Sequence, residues 1–173
     1  MKKIYPLVVM LGTANVAHAE WTDYLPEPKL KDIKTAPVYV GVGLSNKLAH
    51  VNAEYVNQYA IGYVKAGAFW NGENDVGVQA GVRFPVHLNG KDGNGFYIGV
   101  LGGQIETNPV AWNDYDVRLG AGIDFSYVKM SDARISTFSV GVLGVEKVEA
   151  PDGRTIQQAK PRLQFSYTMS FGL

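Results

Sequence analysis

The chain has 173 residues, 16 basic and 16 acidic side chains, and no cysteine. A balanced charge without a basic cluster excludes the electrostatic footprint of a nucleic-acid-binding protein, so no nucleic-acid partner is predicted. The lack of cysteine excludes a disulfide-stapled fold, and a chain of this length is most simply one folded domain. Only 18% of the residues are charged, which is below the roughly 25% that soluble domains carry.

The first 19 residues have the layout of a secretory signal peptide. Lys2 and Lys3 form a positive n-region, an apolar stretch covers residues 4–16, and Ala17-His18-Ala19 fits the small-x-small cleavage rule. The apolar stretch is shorter than the roughly 20 residues that a transmembrane helix needs. The sequence therefore predicts export and cleavage before Glu20, which leaves 14 basic and 16 acidic groups because two lysines are removed.

A change of pattern divides the remaining chain into two parts. Residues 20–36 are polar and show no sustained period, so they are predicted to be a periplasmic lead-in segment at the rim of the following domain. From Pro37 onward, apolar and polar residues alternate in runs separated by Gly, Asn, Asp and Pro, which is typical of an all-β sandwich or barrel. Eight strands are predicted, at 37–45, 48–56, 58–69, 75–86, 95–106, 113–129, 132–148 and 157–172.

Three connections between the predicted strands bear on the topology. The alternation runs almost unbroken through Asn57-Gln58, so one strand over 48–69 and a total of seven is the alternative. Bacterial single-chain outer-membrane barrels have even strand numbers, which favours eight. Asn108-Pro109 is predicted to be a turn because of its turn chemistry. The longest connection, from His87 to Gly95, falls on the predicted periplasmic side, where turns are usually short.

The last predicted strand separates its two faces completely, because side chains alternate across a strand. One face carries Phe165, Tyr167, Met169, Phe171 and Leu173, and the other carries only small or polar residues. This pattern resembles the C-terminal strand by which outer-membrane barrels are recognised for assembly, with Leu173 in place of the usual terminal Phe.

With the predicted signal peptide, residues 37–173 are similar to the small eight-stranded outer-membrane proteins of Gram-negative bacteria, the class of the OmpA membrane domain and OmpX. The resemblance implies an antiparallel, up-and-down transmembrane β-barrel of eight strands, located in the outer membrane as a monomer. It also implies outer-membrane lipid, lipopolysaccharide and the barrel-assembly machinery as partners.

Aromatic side chains are predicted to form girdles at the two membrane interfaces. The outer-rim set is Trp70 and Trp112, and the inner-rim set is Tyr59, Phe84, Phe96, Tyr127 and Phe171.

The charged side chains of the strands are predicted to face the barrel lumen, because Lys or Arg in mid-membrane lipid costs about 2–4 kcal/mol. The predicted lumen set is Glu54, Lys65, Arg83, Glu106, Asp116, Arg118, Asp124 and Arg162. An eight-stranded barrel is just wide enough for side chains to fill, so these charges are predicted to form a salt-bridged core that fixes the strand register. A path for protons or ions, or a small gated pore, is the alternative.

The sequence gives little support for catalysis or for metal binding. After cleavage only His50 and His87 remain, no His-x-Ser pair occurs on a predicted strand, and no metal-ligand spacing is present. No metal or other cofactor is predicted. The sequence therefore predicts a non-enzymatic barrel that acts structurally or through its surface loops. Three alternatives stay open: a lipid-modifying enzyme using His50, a narrow pore or conduit for apolar solutes, and a soluble periplasmic barrel that binds a ligand.

Overall fold

The structure, a computed structural model, describes residues 27–70, 75–90, 92–111, 114–149, 155–157 and 159–173. The predicted signal peptide, the first part of the predicted lead-in segment and Trp112 lie outside these residues. The strands are β1 (Val38–Ser45), β2 (Leu48–Val56), β3 (Ile61–Phe69), β4 (Val76–Leu88), β5 (Gly95–Ala111), β6 (Asp114–Met130), β7 (Arg134–Val145), β8 (Val148–Glu149), β9 (Thr155–Gln157) and β10 (Pro161–Gly172). No helix in the described part of the chain is long and apolar enough to cross a membrane.

Eight of these strands close into an antiparallel barrel in the order β1-β10-β7-β6-β5-β4-β3-β2, and β8 pairs with β9 in a separate small ribbon. The predicted all-β class and the predicted eight-stranded antiparallel barrel are therefore confirmed. Except for the closing pair of β1 and β10, each barrel strand is hydrogen-bonded to the barrel strands before and after it in the chain, which is the up-and-down order.

The break between β2 and β3 depends on the side chain of Asn57. Its Oδ1 accepts hydrogen bonds from the backbone N–H groups of Tyr59 at 2.8 Å and Ala60 at 3.0 Å. The backbone N–H of Asn57 also donates to Ala60 O at 3.0 Å. Asn satisfies turn backbone in this way, so the chain reverses here although the alternation continues. The alternative of one strand over 48–69 is wrong.

The turn predicted at Asn108-Pro109 is also wrong. Strand β5 continues through both residues, and Asn108 pairs with Asp116 while Pro109 pairs with Tyr115 on β6. The β4–β5 register ends at the Gln79–Gly103 pair, so this part of β5 is bonded to β6 alone within the described residues. Proline is tolerated on such an edge, because its missing N–H is not needed by a second neighbour.

The predicted last two strands are too long. Strand β7 ends at Val145 and β10 begins at Pro161, whereas the predicted strands reach 148 and start at 157. Val148 and Gln157, at these two predicted strand ends, belong instead to β8 and β9, which form a ribbon separate from the barrel. Alternation alone does not distinguish a ribbon strand from the continuation of a barrel strand.

Residues 27–36 close one end of the barrel, which we call the plug end. Leu30 is 4% exposed, and its backbone N–H donates to Gln58 O at 3.0 Å. Ile33 and Ala36 pack against the same group of buried side chains. This group, the end cluster, consists of Leu30, Tyr39, Val56, Ile61, Tyr97, Val128, Met130 and Ile135. The end of the barrel is therefore filled by apolar packing.

The long connection between β4 and β5 supports this plug. Asn94 Oδ1 accepts a hydrogen bond from the backbone N–H of Met130 at 2.6 Å, and the Tyr97 hydroxyl donates to Gly93 O at 2.7 Å. Gly93 has a φ of 70°, a left-handed conformation that favours glycine, and it lies beside Ile33 and Met130. The extra residues of this long connection thus help to cover the end cluster.

Leu30→Ala should lower the free energy of unfolding by at least about 2 kcal/mol, the low end for truncating a buried leucine. The measurement is the urea midpoint of the refolded protein, followed by tryptophan fluorescence. The neighbouring Lys31 is exposed, so Lys31→Ala is the matched control and should leave the midpoint unchanged. Equal midpoints for the two variants would contradict a role of residues 27–36 in the core.

Candidate functional site

The barrel wall has an apolar outer face and a polar inner face. On β10, Phe165, Tyr167 and Phe171 are 45%, 47% and 53% exposed, whereas Ser166 and Thr168 between them are buried. Met169 is half-buried and Leu173 is exposed at the end of the chain. The residues of the predicted assembly signal therefore line the outside of the last strand. This distribution is the reverse of that in a soluble domain, where large apolar side chains are mostly inside.

The described aromatic residues of the predicted girdles lie on the outer surface or at its ends. Exposed members are Trp70, Phe84, Phe96, Tyr127 and Phe171, and Tyr59 is half-buried in the turn after β2. The Phe96 ring stacks on Phe125 with centroids 5.4 Å apart and meets Tyr127 edge-on at 5.2 Å. Trp70 follows β3 at the end opposite the plug, whereas Phe96 and Tyr127 lie near the plug end.

The charged residues predicted to face the lumen fall into three groups. Glu54, Lys65, Arg83, Glu106, Arg118 and Asp124 are buried inside the barrel. Arg162 is the second residue of β10, at the end opposite the plug, and its side chain is 41% exposed. Asp116 belongs to β6, but its side chain lies outside the described part of the structure.

An Arg83–Asp124 ion pair spans three strands in the middle of the lumen. Arg83 Nε lies 3.3 Å from Asp124 Oδ2, although β5 separates their strands. The residue of β5 that pairs with both is Gly99. A Cβ at Gly99 would collide with Asp124 Oδ1 and lie 3.1 Å from Arg83 Cγ. The missing side chain therefore gives the two charges room to meet across the intervening strand.

Tyr63 and Lys65 complete this part of the lumen. The Arg83 guanidinium lies 4.0 Å from the centroid of the Tyr63 ring, and Lys65 Nζ lies 5.0 Å from the same centroid. Lys65 Nζ also contacts Ser166 Oγ at 3.4 Å, and Ser166 Oγ is 2.7 Å from Ser139 Oγ. Both cations thus face an aromatic ring, an arrangement that stabilises desolvated positive charge.

Glu54 supplies the second negative charge at this level. Its Oε1 accepts hydrogen bonds from Asn52 Nδ2 at 2.8 Å and from Ser170 Oγ at 2.7 Å. The middle belt, which we define as Glu54, Lys65, Arg83 and Asp124, therefore contains two cations and two anions. This balance is important because an unpaired buried charge is strongly destabilising.

The lumen at the middle belt is filled. A cavity of about 10 Å³ lies between Tyr63, Lys65, Asp124 and Ser139, which is space for about one water molecule. Next to it, Gln164 Nε2 donates to Gln79 Oε1 at 3.2 Å, and Gln79 Nε2 donates to Gln104 O at 3.0 Å. This packing agrees with the expectation that side chains occupy the interior of an eight-stranded barrel.

His50 also faces the lumen and is buried, with Nδ1 3.4 Å from Leu48 O. The nearby Ser45 Oγ accepts hydrogen bonds from the backbone N–H groups of Lys47 at 3.2 Å and Leu48 at 2.8 Å, so it caps the β1–β2 turn. His87 is exposed near the end of β4. Among the residues that the structure describes, no group of three or more His, Asp or Glu could hold a metal ion.

A second charged group, the mouth cluster, lies at the end opposite the plug and consists of Lys47, Glu106, Arg118 and Arg162. Glu106 Oε1 lies 2.7 Å from Arg118 Nη1 and 3.3 Å from Arg162 Nε. Glu106 Oε2 lies 4.0 Å from Lys47 Nζ. Arg118 Nε also donates to Glu146 O at 3.0 Å. Three cations therefore surround one buried carboxylate.

A β-bulge directs Glu106 into the lumen. The β5–β6 register shifts between Gln104 and Glu106, so Ile105 and Glu106 are both buried. Gly103 has a φ of 134°, which a side chain rarely allows, immediately before this shift. Bulges redirect side chains in this way. Apolar residues on both faces of 95–106 make the register of this strand ambiguous in the sequence, and a bulge could explain them, but the pattern does not place the bulge before Glu106. The pattern also missed Lys47, which lies in a turn.

In comparisons with known proteins, no family model matches the chain, and neither a curated protein nor a solved structure matches it.

Asp124→Leu should lower the free energy of unfolding by about 3–5 kcal/mol, because it leaves Arg83 buried without its ion-pair partner. The double variant Arg83→Met/Asp124→Leu should recover most of this loss, because no buried charge then remains at the pair. Denaturant unfolding of the refolded proteins measures both effects.

The exposed pair Lys34–Asp132, with Nζ and Oδ2 3.3 Å apart, provides the control. Asp132→Asn should change the stability little, because exposed ion pairs contribute little. A double variant no more stable than Asp124→Leu would contradict the proposed dependence of the two lumen charges on each other.

Proposed function

We propose that this chain is an exported, non-enzymatic barrel of the Gram-negative outer membrane. It acts structurally or through the end that carries the β5–β6 hairpin and the β8–β9 ribbon. The observation that carries this proposal is a closed β-barrel with an apolar exterior around a filled, polar interior.

The exterior supports a lipid environment. Large apolar side chains are exposed on every barrel strand, including Val42 on β1, Val51 on β2 and Ile123 on β6. Soluble monomers rarely expose continuous apolar patches larger than a few hundred Å². A closed sheet also leaves no unpaired strand edge, which is the condition for β-structure in hydrocarbon. A barrel of the OmpA and OmpX class would combine these properties.

The interior supports a structural role over an open pore. The middle belt lies between the end cluster on one side and a second apolar cluster on the other. This second cluster contains Leu101, Ile105, Leu143 and Val145 as well as Tyr63. A sealed belt of paired charges is suited to fixing the strand register rather than to conducting ions.

The long β5–β6 hairpin at the mouth end supports the proposal that the barrel acts through this end. Within the described residues, β7 pairs with β6 only from Gly120 onward, and β4 pairs with β5 only up to Gly103. The hairpin therefore continues beyond its neighbouring strands. Extended segments held by a rigid sheet are common carriers of binding functions.

Wild-type protein should appear in the outer-membrane fraction as a band whose gel migration changes on boiling. Val42 lies in the middle of β1, so Val42→Arg should lower stability in a bilayer by about 2–4 kcal/mol. Val76→Arg is the matched control, because Val76 is equally outward-facing but begins β4, and its cost should be about 0–1 kcal/mol. A soluble wild-type protein, or equal stability of both variants, would contradict the proposal.

Purified protein in planar bilayers should give no steady conductance, because the middle belt is filled and sealed at both sides. Arg118→Ala should be equally silent, since this residue is not part of an open path. Discrete conductance steps that change in the Arg118→Ala variant would instead support the pore alternative.

A further inference from the structure

The mouth cluster differs from the middle belt, because two of its three cations, Lys47 and Arg162, line an accessible cavity. This mouth cavity has a volume of about 350 Å³, and its lining includes Lys47, Ile105, Glu106, Leu143, Arg162 and Leu163. We propose that the mouth cavity binds the phosphate group of a small molecule through Lys47 and Arg162. The proposal does not depend on the membrane location, because the cavity lies at the barrel end and not on the outer wall.

The distances around Glu106 leave Lys47 and Arg162 available to a ligand. Arg118 forms the close contact with Glu106 at 2.7 Å, and its side chain is only 1% exposed. Arg162 Nε, at 3.3 Å, lacks hydrogen-bond geometry to the carboxylate, and Lys47 Nζ is 4.0 Å away. The side chains of Lys47 and Arg162 are 35% and 41% exposed. Of the described side chains that line the cavity, two are cations and one is a carboxylate, so positive charge is in excess there.

The chain holds Lys47 next to Arg162 by hydrogen bonds from both neighbouring segments. Asn46 Nδ2 donates to Leu163 O at 3.1 Å, and Asn46 Oδ1 accepts from the backbone N–H of Phe165 at 3.3 Å. On the other side, Trp70 Nε1 donates to Ser45 O at 2.9 Å, and the backbone N–H of Trp70 donates to Lys47 O at 3.0 Å.

The Lys47 backbone is therefore fixed before any ligand arrives. A site whose elements are already ordered loses less conformational entropy on binding.

The chemistry of the lining defines the ligand class. A guanidinium presents paired donors that match phosphate and carboxylate oxygens, and an ammonium adds a compact positive charge. Ile105 and Leu143, both buried inside the barrel, provide apolar walls beside these groups. The volume lies at the low end of the roughly 300–1,000 Å³ of small-molecule sites, so it fits a small anion with a short apolar body.

The experiment is calorimetric titration of the full mature chain, folded in a maltoside detergent that contains no phosphate. Inorganic phosphate and dihexanoyl phosphatidic acid are the two probes. Saturable binding of phosphate supports a free anion as the ligand, and tighter binding of the phosphatidic acid supports a lipid headgroup. In either case, Lys47→Gln and Arg162→Gln should each raise the dissociation constant at least tenfold.

Lys160→Gln is the matched control, because Lys160 is exposed, two residues from Arg162, and not among the residues that line the cavity. It should leave the dissociation constant unchanged. Lys47 lies in a surface turn, so its variant should keep the heat-dependent gel shift and report on binding alone. Absence of saturable binding of both probes, or an equal loss in Lys160→Gln, would overturn the proposal.

Discussion

Hydrogen bonding between β1 and β10 joins the two ends of the sheet, in a register that runs from Tyr39–Gly172 to Ser45–Ser166. This closure removes the free strand edges of the barrel wall and assigns each strand one face to a narrow lumen and one to the outside. Eight strands enclose little volume, so a long side chain fits inside only where its neighbours are small. The lumen chemistry therefore depends on the positions of small residues as much as on the charges themselves.

The Arg83–Gly99–Asp124 arrangement illustrates this dependence. The two charges lie on strands that are not neighbours, and the glycine between them allows direct contact across β5. The mouth cluster is built differently, because a bulge directs Glu106 inward and a hydrogen-bonded turn places Lys47 near Glu106. The first arrangement is closed and balanced, whereas the second has partly exposed cations beside a cavity. Structural and binding roles can therefore be separated within one lumen.

Residue alternation predicted most of the fold, because the period of two is set by the strand itself. It predicted eight barrel strands and placed an apolar face along β10. It failed where long-range pairing decides the outcome: Asn108-Pro109 has turn chemistry, yet pairing with β6 extends the strand through it. Lys47 was missed for a related reason. Strand alternation assigns no face to a turn residue, so it cannot predict which way the Lys47 side chain points. Strict alternation of the two strand faces likewise could not predict that the consecutive residues Ile105 and Glu106 are both buried.

The two ends of the barrel differ in chemistry, and this difference limits where a water-soluble ligand can act. At the plug end, Leu30 and its neighbours fill the lumen with apolar side chains, and the β4–β5 connection covers them. At the mouth end, the wall continues into a hairpin and the lumen opens into a cavity lined by charged side chains. Burial of a ligand anion at the plug end would require displacement of the apolar packing. At the mouth end the cations and the space are already present, so a soluble partner of this barrel should be recognised there.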